Sequence, residues 1–136
     1  MIGAPWSLQL GLYDVLRQSA EVQSALGNPA RIFDAVPPDT AFPFITIGEA
    51  RVDDYPGVSG AREHDIRIHI YTRWGGRQEV KQIADSISNL LHEREYPLAD
   101  HQIVQSRFVF ADIFRQLDAD TYQGVMRFRI VTEPSV

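Results

Sequence analysis

Polar and apolar residues alternate without interruption from residue 63 to residue 74. His64, Ile66, Ile68, Ile70, Thr72 and Trp74 share one face, and Asp65, Arg67, His69, Tyr71 and Arg73 share the other. A period of two marks a strand with one face buried and one in water. Gly75 and Gly76 stop the alternation, and from Arg77 the period changes. Val80, Ile83, Ala84, Ile87, Leu90 and Leu91 recur at spacings of three and four, which predicts an amphipathic helix. Gly76 can cap it, and Glu79 sits near its positive end. Ile66, Ile68, Ile70 and Trp74 are expected to pack under Val80, Ile83, Ile87 and Leu90.

The same reasoning extends along the chain. Residues 6–20 predict a helix, with Ser7 as cap and Leu8, Leu12, Val15, Leu16 and Ala20 on one stripe. Residues 20–26 add a further turn or two before Gly27 and Pro29 end it. A short strand over 30–36 leads into "PPDTAFP", where Pro37, Pro38 and Pro43 dictate an extended connector. Residues 44–52 predict a strand, and the cluster "DDYPGVSG" predicts a mobile loop over 53–62. Two more strands are expected: 102–117, with Val104, Ser106, Phe108 and Phe110 opposed to Ile103, Gln105, Arg107 and Val109, and 122–133, separated by the turn "DADT". Pro97 forbids continuation of the middle helix toward them. The expected architecture is a single α+β domain spanning 1–136: a mainly antiparallel sheet of about five strands, with two main helices packed on one face.

Composition narrows the function. The chain has 136 residues, 18 acidic against 13 basic, for a formal charge of −5. A nucleic-acid reader carries a basic stripe or excess, and none is visible. The absence of cysteine removes disulfides, thiolate catalysis and zinc-ribbon chemistry. The start "MIGAPWSLQLGLYDVL" has no basic segment before its apolar residues, and no apolar run reaches membrane-spanning length, so synthesis in the cytoplasm is expected.

Candidate chemistry is sparse. "WGG" sits between a strand and a helix, where phosphate loops live, but it lacks both glycine-loop spacings. His64 and His69 are five apart on a strand and so face opposite sides of the sheet. His92 and His101 flank a loop, without a carboxylate at ligand spacing. No serine sits in a nucleophile elbow. The aspartates at 53–54 and 118–120 fit turn chemistry, where their side chains bond local amides. No catalytic residue, cofactor or metal is therefore expected. Arg67 and Arg73, with His69 and Tyr71, and Arg127 and Arg129 on the last strand offer a different prospect. Neighbouring strands would gather them into an Arg/Tyr face of the kind enriched in protein interfaces, as against a merely solvated face.

In their order, the segments "LQLGLYDVLRQ", "ALGNPARIFDAVPPDTAFPFITIGEA", "REHDIRIHIYTRWGGRQEVKQIADSISNLL" and "DADTYQGVMRFRIVTE" resemble the phage tail terminator, or tail-completion, family of siphophage necks and gene transfer agents. The matching positions are Pro37, Pro38, Pro43, Ile45, Gly48, His64, Ile70, Trp74, Gly76, Glu79, Ile83, Ile87, Leu90, Asp118, Gly124, Arg127 and Phe128. The resemblance implies a structural protein without catalytic residues. It implies a ring, commonly hexameric, at the head-proximal end of a tail tube. There it stops polymerisation, meets the head connector and lets DNA pass through its pore. A head–tail stopper or adaptor ring of the same neck module is the alternative, and a small enzyme with a site between His64 and Trp74 is a third reading. The candidate subunit or tube interface comprises Asp53, Asp54, Tyr55, Arg62, Arg67, His69, Tyr71, Arg73, Arg127 and Arg129. The expected partners are further copies of the chain, the tail tube protein and the head–tail connector; the expected location is the head–tail junction of a phage-like particle.

Overall fold

Three helices and five strands follow one another as α1 (Ala4–Gln18), α2 (Ala20–Leu26), β1 (Ile32–Phe33), β2 (Phe44–Asp54), β3 (Arg62–Arg73), α3 (Gly76–Leu91), β4 (His101–Arg115) and β5 (Thr121–Pro134). The computed structural model describes residues 1–74, 76–118 and 120–135, so Gly75 and Ala119 of the two predicted turns lie outside the described residues. The fold is α+β, with one sheet in the order β1-β2-β3-β5-β4.

The sheet is mixed, which corrects the expectation of a mainly antiparallel one. β1 runs parallel to β2, pairing Ile32 with Ile45 and Phe33 with Thr46, while the other three contacts are antiparallel. The proline-bearing connector 34–43 explains the parallel edge. It cannot tighten into a hairpin, so it leads the chain back to start β2 in the direction of β1. For the same reason β1 keeps only two residues of the predicted 30–36.

Ser7 is not a cap. It lies inside α1, fully buried, and its hydroxyl donates to the Ala99 carbonyl at 2.6 Å. Gly3 stands at the N-cap, followed by Pro5 in the first turn. Ser19 breaks the predicted continuous helix in two: its backbone is extended, and its Oγ accepts from the Val22 amide at 3.4 Å, capping α2. Gly27 ends α2 with φ 91° and ψ 174°, a positive-φ conformation that glycine tolerates but that lies outside the left-handed helical cap expected there.

Leu8, Leu12 and Leu16 of α1 share one apolar core with Val80, Ile83, Ile87 and Leu91 of α3, Ile45 and Ile47 of β2, Ile66, Ile68 and Ile70 of β3, and Met126, Phe128 and Ile130 of β5. At Gly124 the helix comes close: a Cβ there would stand 2.8 Å from Val80 Cγ1. Trp74 departs from the prediction. It lies just beyond β3 at φ 64° and is 82% exposed, so the alternation that assigned it to the core ends one residue earlier.

The predicted loop over 53–62 is shorter than expected. Asp53 and Asp54 pair with Glu63 and Arg62 in the β2–β3 ladder, and only 55–61 turn. β4 departs from simple alternation because two register shifts, between Ile103 and Gln105 and between Phe108 and Phe110, interrupt its pairing with β5. Ile103 and Ser106 are therefore both buried, although strict alternation places them on opposite faces.

Candidate interaction surface

One face of the sheet supplies the core; the other carries charge. Register fixes what stands beside what. Arg51, Asp65, Arg129 and Arg107 form one row across β2, β3, β5 and β4. Arg67 and Arg127 stand opposite each other in the next row, with Phe110 beyond. Like charges directly opposed are unfavourable unless acids intervene, and here they do. Arg127 clasps Asp65 with two bonds, Nε to Oδ1 at 2.8 Å and Nη2 to Oδ2. Arg129 pairs with Glu63 at 3.4 Å, and Arg51 with Asp53 at 3.1 Å. The bond from Arg127 holds the Asp65 carboxyl below its usual range, and the same bond raises Arg127.

A second cluster lies toward the opposite end of β3. His69 Nε2 meets Glu49 Oε2 at 3.1 Å, and its Nδ1 lies 3.0 Å from Gln123 Nε2. The imidazole bond keeps the Glu49 carboxyl below its ordinary value. Gln123 Nε2 also donates to the Tyr71 hydroxyl at 3.3 Å. The Tyr71 ring stacks on Phe44 with centroids 5.0 Å apart, and partial burial pushes its phenol up. Arg73 donates to Thr121 Oγ1 at 3.1 Å and lies 4.3 Å over the Phe42 ring.

The structure thus brings Arg67, His69, Tyr71, Arg73, Arg127 and Arg129 onto one continuous face, with Asp53 at its rim. It separates Asp54, Arg62 and Tyr55. Arg62 and Asp54 form a 3.1 Å ion pair at the far end of the β2–β3 hairpin, and parity places both on the helix side. Tyr55 lies in the turn beyond, with its amide bonded to the Ala61 carbonyl at 3.1 Å. Glu49, Arg51, Glu63, Asp65, Arg107 and Gln123 belong to the same charged face and were missing from the sequence-derived set. The irregular pairing of β2 between Ile47 and Ala50 hides Glu49 and Arg51 from a count by twos. A glycine is required there, because a Cβ on Gly48 would stand 2.8 Å from His69 Cδ2.

The four histidines do not converge. His64 is buried and His69 lies on the opposite, charged face. Among the described residues no group of three or more His, Cys, Asp or Glu is placed to hold a metal. The chemistry available is fixed charge and aromatic area on a rigid, cross-braced sheet. Those are the means of recognising another protein surface.

Comparison with known proteins gives a consistent assignment. No curated protein sequence matches the chain. Among solved structures, a chain from the virion of a native gene transfer agent particle shares 27% identity, with a TM-score of 0.87, covering 98% of this chain and 99% of that one. The SPP1 Dit (gp 19.1) protein, from the hub adsorption apparatus of phages that infect Gram-positive bacteria, covers 66% of this chain and 40% of its own at 16% identity; its TM-score of 0.31 carries no argument. The family model described as tail completion protein gp17 matches residues 11–133, nearly the whole sequence, and the chain belongs to that family.

Proposed function

We propose that this protein is a structural, non-enzymatic component of a phage-like particle, acting at the junction of head and tail. Copies close into a ring, a hexamer, that caps the head-proximal end of the tail tube, stops its polymerisation and offers the head connector a docking surface. The observation that carries this reading is the full-length likeness to a gene transfer agent virion chain, over 98% of this sequence and 99% of the other. Assembly takes place in the cytoplasm, after which the ring stays in the particle.

The fold suits the role. With the main helices on one face of the sheet, the other is free to present charge to neighbours, tube or channel. Six compact subunits of this size leave a central hole on the order of 35 Å, enough for duplex DNA. The −5 charge favours passage over retention, because few phosphates can be neutralised. Asp53, Asp54, Tyr55, Arg62, Arg67, His69, Tyr71, Arg73, Arg127 and Arg129 are the residues assigned to subunit and tube contacts.

The test is electron microscopy of particles assembled with Arg67→Glu and Arg73→Glu in one chain. Over-long or uncapped tails are expected. Tails of normal length from that variant would refute the assignment of this face. Labelled protein found on the portal side of tailless heads would favour a stopper ring over a terminator.

A further inference from the structure

The sheet ends in two edges that its own chain only partly covers. β1 protects β2 at Ile45 and Thr46 alone. Over 47–54, β2 has β3 on one side and, among the described residues, no backbone partner on the other. At the opposite edge β4 pairs only with β5. Its middle is capped from outside: the Glu93 amide donates to the Ser106 carbonyl at 2.7 Å, and the Phe108 amide donates to His92 Nδ1 at 2.9 Å. Over 109–115 no such cover exists among the described residues. Two bare stretches of similar length therefore lie on opposite edges, and the cross-sheet register sets them toward opposite ends of the molecule. A bare edge is a template for another strand.

We propose that these two edges join: residues 109–115 of one copy lie antiparallel to residues 47–54 of the next, and the sheet runs on from copy to copy. The proposal rests on the ring reading above and names its seam. Such a contact is heterologous, as closure of a ring requires.

Polarity, parity and charge each support it. Three successive antiparallel contacts make β4 antiparallel to β2. A sheet continued with its faces aligned therefore meets in the antiparallel sense. Aligned faces also demand that Asp112, on the charged face, stand opposite a charged-face residue of β2. Glu49 or Asp53 there would repel it; Arg51 attracts it. With Asp112 opposite Arg51, Ala111 faces Val52 and Ile113 faces Ala50, two apolar pairs on the helix side. Ala50 and Val52 already border an open groove with Pro5 and Trp6, where those side chains arrive. Val52 and Trp6 are 37% and 53% exposed in the single copy.

The stagger is also that of a closed sheet. Within one copy Arg51 stands level with Arg107, through Asp65 and Arg129. Across the seam it stands level with Asp112. Allowing for the irregular step near Val109, the seam is offset by about four rungs, or ~13 Å at ~3.3 Å per residue. Each copy adds four long strands, so the offset is about one rung per strand. That ratio is the one found in an eight-stranded barrel of shear eight, whose strands lean by roughly 36°.

The absence of cysteine makes the test clean. In a chain carrying both Val52→Cys and Ala111→Cys, oxidation is expected to give a reducible ladder of covalent multimers. Each single variant is expected to give none, and a mixture of the two single variants only dimers. Assembled rings, seen by light scattering or on tail tubes, without cross-linking of the double variant would overturn the seam while leaving the ring reading in place. Absence of any multimer, alone or with tubes, would overturn both. A charge reversal checks the register independently of thiols. Arg51→Asp is expected to raise the concentration for half-assembly about tenfold, and Asp112→Arg in the same chain to restore it to within about twofold. Failure of that rescue would refute the Arg51–Asp112 register.

Discussion

His64 gives the sharpest prediction about the isolated protein. It sits on the buried face of β3, with no exposed surface. Its Nε2 bonds to Thr132 Oγ1 at 2.9 Å, and its Nδ1 has no partner among the described residues. Burial, reinforced by the neighbouring His101 ring and the Arg62 guanidinium, lowers its pKa from 6.5 to about 4. The folded state therefore keeps a neutral imidazole where the unfolded chain takes a proton. Between pH 6.5 and pH 4 the unfolded state binds more protons, so stability falls as the pH falls through that window. The loss from this one group is about 2 kcal/mol between pH 8 and pH 5, and about 3 kcal/mol once the pH is below 4. The Asp65 carboxyl, lowered by Arg127 from 3.8, contributes in a different window. Its stabilisation is present above its unfolded value and is lost only at more acid pH. Urea unfolding at pH 8, 6.5 and 5, for the native chain and for His64→Asn, separates the two. Asparagine can still bond Thr132 but does not titrate. The variant is expected to be less stable at pH 8, yet to lose about 2 kcal/mol less than the native chain on going to pH 5. Equal losses in both proteins would refute the buried neutral imidazole.

Further outcomes follow from packing, backbone and charge. Phe128 is fully buried at the centre of β5, and Phe128→Ala is expected to cost about 3–5 kcal/mol in denaturant unfolding; a loss under 1 kcal/mol would show that the core closes around the gap. Trp74 holds φ 64° with most of its surface in water, so Trp74→Gly is expected to raise stability by ~1 kcal/mol in thermal melts, and a clear loss would refute backbone strain there. Arg127 and Asp65 keep 28% and 25% of their side-chain surface exposed. A double-mutant cycle with Arg127→Gln and Asp65→Asn is therefore expected to give a coupling near 1 kcal/mol, and one above about 3 kcal/mol would mean a desolvated pair.

The sequence was most legible where one regular element packs against one core. β3, α3 and β5 follow their periods almost residue by residue, because each has one buried and one solvated face. Legibility failed where a tertiary contact or a local irregularity overrides the period. Ser7 has the chemistry of a cap, but its hydroxyl is taken by the Ala99 carbonyl, ninety-two residues away. Trp74 continues an alternation that the backbone has already left. The irregular step in β2 moves the side chains from Glu49 onward by one place, which is how Glu49 and Arg51 escaped notice, and the step after Ile103 in β4 sets Arg107 on the face opposite Ile103. The charged face itself was readable from β3 and β5, Asp65 included, whereas the pairing of Asp65 with Arg127 was visible only in the structure. Nothing in the residue pattern told that β1 runs parallel to β2, since two residues are too few to carry a period.

The strand order has a consequence for how the protein is made. β5 is the last strand in the sequence, yet it lies between β3 and β4. β3 therefore waits for its second neighbour until residues 121–134 have been made, and β4 has no place in the sheet before then. Pairing between segments so far apart is the slow kind, with a high entropic cost of closure. A chain that stops short of β5 thus has no ordered β4 edge. Completion of the sheet and appearance of its outer edge at β4 are therefore one event, which comes only with β5.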